Sequence, residues 1–290
     1  MTKPAILLVL DSDKHASSFD AVVAIDSGVD RLLPYSNVAA EQVRGLVHGA
    51  IFTRGPQDLH RTAIFVGGTD VGIAEQLMRE VAGSFFGPMR VSVMLDANGA
   101  NTTAAAAVLS VRRHIEVAGS SVLVLAATGS VGQRVVRLLT SAGAAVRVAS
   151  RSSARAAAVC QEISTRIPQA KLTPVACDTE SSVAASFDGV SAVVAAGAAG
   201  IQLVSEATLQ SADNLKVAVD LNAVPPLGIA GIEAMDKARE RGGFVSYGAI
   251  GVGGTKMKIH KAALRKLFES NDQVLDAEEI YRLGLEMIDK

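Results

Sequence analysis

The chain has 290 residues, 49% of them hydrophobic and 20% charged, with a formal net charge of −1. That balance excludes the positive field a nucleic-acid or membrane-surface protein needs, and the length suits one large or two ordinary domains with a sizeable core. Mean hydropathy is +0.31, yet no run of about 18 uncharged apolar residues is present to cross a membrane; the apolarity reflects the Ala, Val and Gly of buried α/β elements.

The N-terminal residues run straight into Asp11-Ser12-Asp13 with no small-residue cleavage site, so they read as a first strand over 6–10 rather than a signal peptide. Strands are expected next at 21–25, 63–66 and 91–95, with helices at 39–48, 71–81 and 102–116. Thr102 or Thr103 is the expected cap of the last helix, which is alanine-rich and long enough to bridge two domains. From about 117 a second series begins, with strands at 121–125, 145–149, 172–177, 192–195 and 217–221 and helices at 133–139 and 154–166. Such alternation predicts a parallel sheet with helices on both faces. Glycine-rich loops are expected at 195–200 and 248–254, the second leading into a basic helix over 256–261. The segment 276–288 reads as an amphipathic helix, with Asp276 and Glu279 at capping-box spacing.

The most informative stretch is 122–132, Val-Leu-Val-Leu-Ala-Ala-Thr-Gly-Ser-Val-Gly. An apolar strand, a tight turn and a helix aim free backbone N–H groups and a positive dipole end at one point, which suits a pyrophosphate. Thr128, Gly129, Ser130, Val131 and Gly132 are the candidate cradle: Gly129 for close approach of the phosphates, Gly132 for close helix–strand packing. Ala127 stands where the dinucleotide-binding (Rossmann) fingerprint has its first glycine. The next strand ends in Ser150-Arg151-Ser152-Ser153, with Arg151 22 positions after Gly129. An acid at that place selects NAD, whereas an Arg accommodates the 2′-phosphate of NADP; the plain alternative is a solvated turn. Ala196, Gly197, Asp220, Asn222 and Gly253, at later strand ends and in the second glycine loop, complete the candidate cofactor set, with Asp220 and Asn222 equally readable as turn residues.

Cys160 and Cys177 are the only cysteines, form no metal spacing and point to the reducing cytoplasm. None of the five histidines pairs at ligand spacing, no metal site is expected, and no G-x-S-x-G supplies a hydrolase nucleophile.

Several stretches together carry a family resemblance: 18–23 (Ser-Phe-Asp-Ala-Val-Val), 51–55, 63–68, 86–91, 96–104 (Asp-Ala-Asn-Gly-Ala-Asn-Thr-Thr-Ala), 222–231 (Asn-Ala-Val-Pro-Pro-Leu-Gly-Ile-Ala-Gly), 253–258 and 266–270. In these the chain resembles the NAD(P)-dependent methylene-tetrahydromethanopterin dehydrogenases of methylotrophic bacteria. The resemblance implies an α/β chain of two domains. One is a pterin-binding domain of residues 1–116 plus 257–290, completed by the C-terminal helix; the other is a doubly wound Rossmann domain over 117–256. It further implies a pterin in the cleft between them, a homo-oligomer (trimer or hexamer), and hydride transfer from methylene-tetrahydromethanopterin to NADP, with NAD possible because the Pro225-Pro226 loop resembles the branch that uses both.

On that footing Asp20 is expected to bond the amino and imino groups of a pterin ring, with Phe19 or Phe86 stacking on it; a helix cap is the plain alternative. Asn98, Asn101, Thr102 and Thr103 are candidate pterin or nicotinamide contacts. Lys256, at what reads as the start of a helix, is the candidate for modulating charge near the pterin, with Lys258 and His260 behind it. Lys256 and Asp20 are thus the expected catalytic pair. Two other readings keep the same scaffold: a methylene-tetrahydrofolate dehydrogenase, and a non-catalytic NADP-binding sensor.

Overall fold

A computed structural model describes residues 3–288. The chain divides into two compact units: one holds the residues through Thr102 together with those from Met257 onward, the other is Thr103–Lys256.

The first unit alternates β1 (Ile6–Asp11), α1 (Ser18–Asp26), β2 (Arg31–Tyr35), α2 (Ala40–Phe52), β3 (Thr62–Gly67), α3 (Val71–Gly83), β4 (Ser92–Leu95) and the start of α4 (Ala100–Arg112). The chain leaves this unit inside α4, where the sequence reading places the change of domain after that helix. It returns within a later helix, and the C-terminal segment adds an edge strand and a last helix to the first unit. The sheet is parallel throughout, in the order β12-β4-β3-β1-β2, β12 being Val274–Leu275. On one face Leu8, Leu10, Ile64, Val66 and Val93 meet Val43, Val47 and Leu77 of α2 and α3, and on the other Leu7, Val9, Phe65 and Met94 are buried as well. Strands buried on both faces read as continuous apolar runs, which is why β1, β3 and β4 are legible in sequence.

The second unit holds β5 (Ser121–Leu125), α5 (Ser130–Ser141), β6 (Ala145–Ser150), α6 (Ser153–Arg166), β7 (Lys171–Ala176), α7 (Glu180–Ala185), β8 (Ala192–Ala195), α8 (Glu206–Gln210), β9 (Val217–Asp220), β10 (Lys237–Arg241), β11 (Phe244–Tyr247) and the first part of α9 (Ala249–Lys266). Six strands run parallel in the order β7-β6-β5-β8-β9-β11, which is the doubly wound 3-2-1-4-5-6 arrangement. β10 is added antiparallel at the β11 edge. The expected α/β class with a Rossmann sheet is the observed one.

Three expectations fail locally. The run over 21–25 is helical: Ser17 accepts the amide of Asp20 as an N-cap, and the helix buries Val23 and Ala24. The cap overrides the β preference of Val and Ile. Thr102 and Thr103 do not cap α4; Asp96 does, accepting the Thr102 amide at 3.0 Å and its hydroxyl at 2.7 Å. The glycines over 248–254 mostly form no loop, because α9 begins at Ala249. Its first amides are satisfied by the chain itself: Gly248 N–H bonds Asp236 O, and those of Ile250 and Gly251 bond Ala234 O. A Cβ at Gly248 or Gly251 would fall onto the backbone of Glu233, Ala234 or Asp236. These glycines therefore let a helix start press directly on a turn. Lys256 accordingly stands well inside α9, not at its start.

Candidate active site

In the second unit, strand order reverses between β5 and β8, and ligands of such sheets bind outside the carboxyl ends of the strands at that point. β5 turns through Ala126, whose φ of 53° is uncommon off glycine and takes up the tight bend one residue before Ala127. α5 starts at Ser130 with Gly129 as N-cap and no side-chain cap, so its N–H groups are available to an anion. A Cβ on Gly132 would meet Ala126 O at 2.7 Å and Ala127 Cα at 2.8 Å, both backbone; one on Gly129 would find only ordinary contacts. Gly132 therefore seats α5 on β5. Thr128, Ser130 and Val131 are half-buried around the same turn, and the Ala196 carbonyl approaches it from the end of β8.

Beyond the end of β6 lies a cavity of about 310 Å³ whose wall includes Thr128, Ser150, Arg151, Ser152, Arg155 and Cys177. Ser152 caps α6 by accepting the Arg155 amide, which fixes Arg155 in the first helical turn beside Arg151. Arg155 is the functional candidate that sequence reading missed; its signal is the second Arg four residues after the first, behind a capping Ser. Among the described residues no carboxylate lines this cavity, and two guanidiniums with small hydroxyls fit a 2′-phosphate. Burial pushes the Cys177 thiol up, so it lines the wall as a small apolar group. An adjoining cavity of about 470 Å³ is edged by Asp178, Thr179 and Glu180, the acidic turn before α7.

Asp220 is placed inside rather than at the cavity surface. It is 0% exposed and accepts the amides of Asn222 and Ile229 at 3.0 and 2.9 Å; burial pushes its carboxyl up against those bonds. Asn222 is likewise enclosed, accepting the Gly200 and Val224 amides and donating to Pro226 O. Together they tie the 195–200 loop to the Pro225-Pro226 loop. A Cβ on Gly197 would press on Leu203, and Gly253 lies within α9, away from any loop.

In the first unit the order reverses between β1 and β3, so the corresponding crevice is edged by the ends of β1, β3 and β4. Asp20, in the first turn of α1, and Asp96, just after β4, both approach His260 of α9 there. His260 Nε2 is 3.8 Å from Asp20 Oδ1, and Nδ1 is 3.7 Å from Asp96 Oδ2. The imidazole is completely buried and parallel to the Phe65 ring, with centroids 5.9 Å apart. Phe19 is tilted against it at 6.3 Å and leaves about half its surface open to an apolar groove shared with Val22 and Met257.

The remaining candidates separate. Asn98 is exposed at the same end of the sheet, in a left-handed conformation (φ 52°) that is uncommon off glycine, and its amide holds Gly68 O at 2.8 Å. Asn101 is an interior bridge, donating to Leu95 O and Asp276 Oδ1, and Thr102 is spent on Asp96. Thr103 is half-buried, Lys256 half-buried and Lys258 exposed. Phe86, 71% exposed, sits in a turn that feeds the amino end of β4, the opposite end of the sheet from Asp96. It is therefore not available to stack where Asp20 lies. Among the described residues no three His, Cys, Asp or Glu groups are arranged to hold a metal, and no helix is long and apolar enough to cross a membrane.

Residues 18–98 match the family model described as "Methylene-tetrahydromethanopterin dehydrogenase, N-terminal", and residues 126–282 match one described as "NAD(P)H-binding". The chain is 43% identical to the "Bifunctional protein MdtA" of Methylorubrum extorquens, covering 97% of this chain and 98% of that protein. It is 32% identical to the "NAD(P)-dependent methylenetetrahydromethanopterin dehydrogenase" of the same organism, covering 98% of each. A solved shikimate 5-dehydrogenase from Listeria monocytogenes, 12% identical with a TM-score of 0.54 over 97% of this chain and 96% of that one, shares the fold. The two-sheet architecture, the dinucleotide crevice and end-to-end similarity to these relatives lead to one assignment: the chain belongs to the family of NAD(P)-dependent methylene-tetrahydromethanopterin dehydrogenases.

Proposed function

We propose that the protein catalyses reversible hydride transfer from the methylene carbon of N5,N10-methylene-tetrahydromethanopterin to NADP+, with NAD+ a poorer acceptor, leaving the methenyl cation. The observation that carries the reading is the pairing of Arg151 and Arg155 at the end of β6, without a carboxylate, in a chain whose N-terminal segment matches the pterin dehydrogenase model. NADP, when bound, supplies the hydride acceptor, so the chemistry that remains for the chain is binding, orientation and electrostatics. The uncapped start of α5 receives the pyrophosphate, and the two arginines receive the 2′-phosphate.

Asp20 receives the amino and imino N–H groups of the pterin, and the exposed face of Phe19 stacks on the ring. Lys256, one helical turn before His260 on α9, adjusts the charge near it. Hydride leaves a carbon flanked by two nitrogens that share the positive charge left behind, so neither a covalent nucleophile nor a strong general base is required. Holding two flat rings in reacting geometry is the main service, worth effective molarities of order 10⁵ M or more in favourable cases. Assembly as a homo-oligomer in the cytoplasm, serving one-carbon oxidation, is part of the same reading; exposed Leu33 and Tyr35 on edge strand β2 supply apolar surface, and both cysteines are free.

The test is reduction of NADP+ and NAD+ by methylene-tetrahydromethanopterin, with methylene-tetrahydrofolate in parallel. Substrate deuterated at the methylene carbon should give deuterated NADPH. Label released to water, or no reduction with the methanopterin substrate, overturns the proposal.

A further inference from the structure

His260, a candidate behind Lys256 in the sequence, is a fully buried polar side chain of the first unit. Two segments far apart in sequence converge on it: α1 with Asp20 and the turn after β4 with Asp96. All three groups are enclosed, with side-chain exposures of 16%, 0% and 0%. Asp96 is anchored from behind, since both its oxygens take donors of Thr102 at the start of α4. The imidazole lies flat along Phe65, so its two nitrogens are kept facing the two carboxylates. The ring turns one nitrogen toward each carboxylate, so its two edges set where the two carboxylates stand relative to one another. The arrangement runs from the Asp96 carboxylate, held by Thr102, through the ring to the partly exposed carboxylate of Asp20.

We infer that His260 is a positioning residue for hydride transfer: seated between Asp96 and Asp20, it sets the orientation of the Asp20 carboxylate that receives the pterin. The inference rests on the reading above that Asp20 contacts the substrate.

The experiment is a double-mutant cycle in the full-length protein, with Asp20→Asn, His260→Asn and the pair. It measures kcat/KM for methylene-tetrahydromethanopterin, KM for NADP+, and the thermal midpoint by circular dichroism. His260→Gln is run alongside, because its longer amide reaches further toward Asp20. His260→Asn is expected to lower kcat/KM for the pterin about 10- to 100-fold, in the range of coupled neighbours, with the NADP+ KM unchanged. The double variant is expected to be no worse than Asp20→Asn alone, and His260→Gln to recover part of the loss. Multiplying effects would show that His260 acts independently of Asp20 and overturn the inference while leaving Asp20 as a ligand. A normal pterin KM and kcat in Asp20→Asn would instead overturn the placement of the pterin at Asp20, and the inference with it. Activity that falls only in step with the folded fraction would reduce His260 to a core residue and also overturn it.

Discussion

Replacing Gly132 by Ala tests how closely α5 is seated on β5. The added methyl would lie 2.7 Å from Ala126 O, 2.8 Å from Ala127 Cα and 3.0 Å from Ala127 C, all backbone atoms that cannot rotate away. Reaching ordinary contact at 3.4 Å requires the first turn of α5 to withdraw by 0.7 Å. Overpacking of this kind costs about 1–3 kcal/mol, and at about 2–4 °C per kcal/mol the midpoint should fall by roughly 2–12 °C. The same withdrawal moves the N–H groups offered to the pyrophosphate, and a misplacement near 1 Å can cost about 10²-fold, so NADP affinity should drop by one to two orders of magnitude. Gly129→Ala is the internal control: its Cβ meets nothing closer than 3.6 Å and its φ of −79° suits alanine. Thermal melts and cofactor titrations of both variants make the comparison. If Gly132→Ala melts and binds like the parent, or if Gly129→Ala is the more unstable of the two, the seating argument is wrong.

Arg151→Ala and Arg155→Ala should each raise the NADP KM by about ten- to a hundredfold, a loss of about 1.5–3 kcal/mol per charge-assisted bond, while NAD use stays nearly constant; an equal effect on both cofactors would place the arginines elsewhere. Asp236, enclosed and bonded to Arg241 at 2.7 and 2.9 Å and to Ser246, has its carboxyl held below the ordinary range, burial opposing and the Arg241 bond prevailing. Because the folded value is depressed, the stabilisation is present above the unfolded carboxylate range and lost as pH falls through the folded value. Asp236→Asn should therefore destabilise by about 1.5–3 kcal/mol near neutrality and by progressively less in acid; a constant deficit across that titration would contradict it. Gly251→Ala should destabilise without changing cofactor selectivity, since the glycine serves the contact of α9 with Asp236; a melt equal to the parent would refute this. Dialysis against EDTA should leave hydride transfer intact, and a loss restored by added metal would point to another chemistry.

What was legible in the chain follows from how far each signal reaches. The buried parallel strands announce themselves as apolar runs, and the β5–α5 turn as a motif, because both are local. β2 is hidden by Pro34 and by its exposed edge position. The β10–β11 hairpin is hidden by the charged run from Lys237 to Arg241, which blunts a sheet edge and so lacks an apolar face. The glycines ahead of Lys256 suggest a loop by propensity, yet become helical because carbonyls from residues 234 and 236 receive the amides of that stretch. Among site residues, Arg151 stands at a fixed distance from a motif, whereas Arg155 becomes meaningful only once Ser152 is seen to cap a helix. Asn101 and Thr102 look like ligands by composition, and only the positions of Leu95, Asp96 and Asp276 reveal them as interior ties. The partners of His260 come from three distant segments, which no spacing rule could join.

The first unit is assembled from both ends of the chain, whereas Thr103–Lys256 is uninterrupted. On a ribosome the order of completion is therefore inverted relative to the order of synthesis. The nucleotide-binding unit has all its strands in hand as soon as residue 256 has emerged, and can close its core at once. The N-terminal strands, made first, must wait for residues 257 onward to bring His260, β12 and the last helix, Ala277–Ile288, with the pairing of Val274 to Val93 spanning most of the chain. Loop closure over such a separation is slow. During that interval β4 offers an unpaired apolar edge, so the nascent chain is most vulnerable to aggregation at the half that carries the N-terminus.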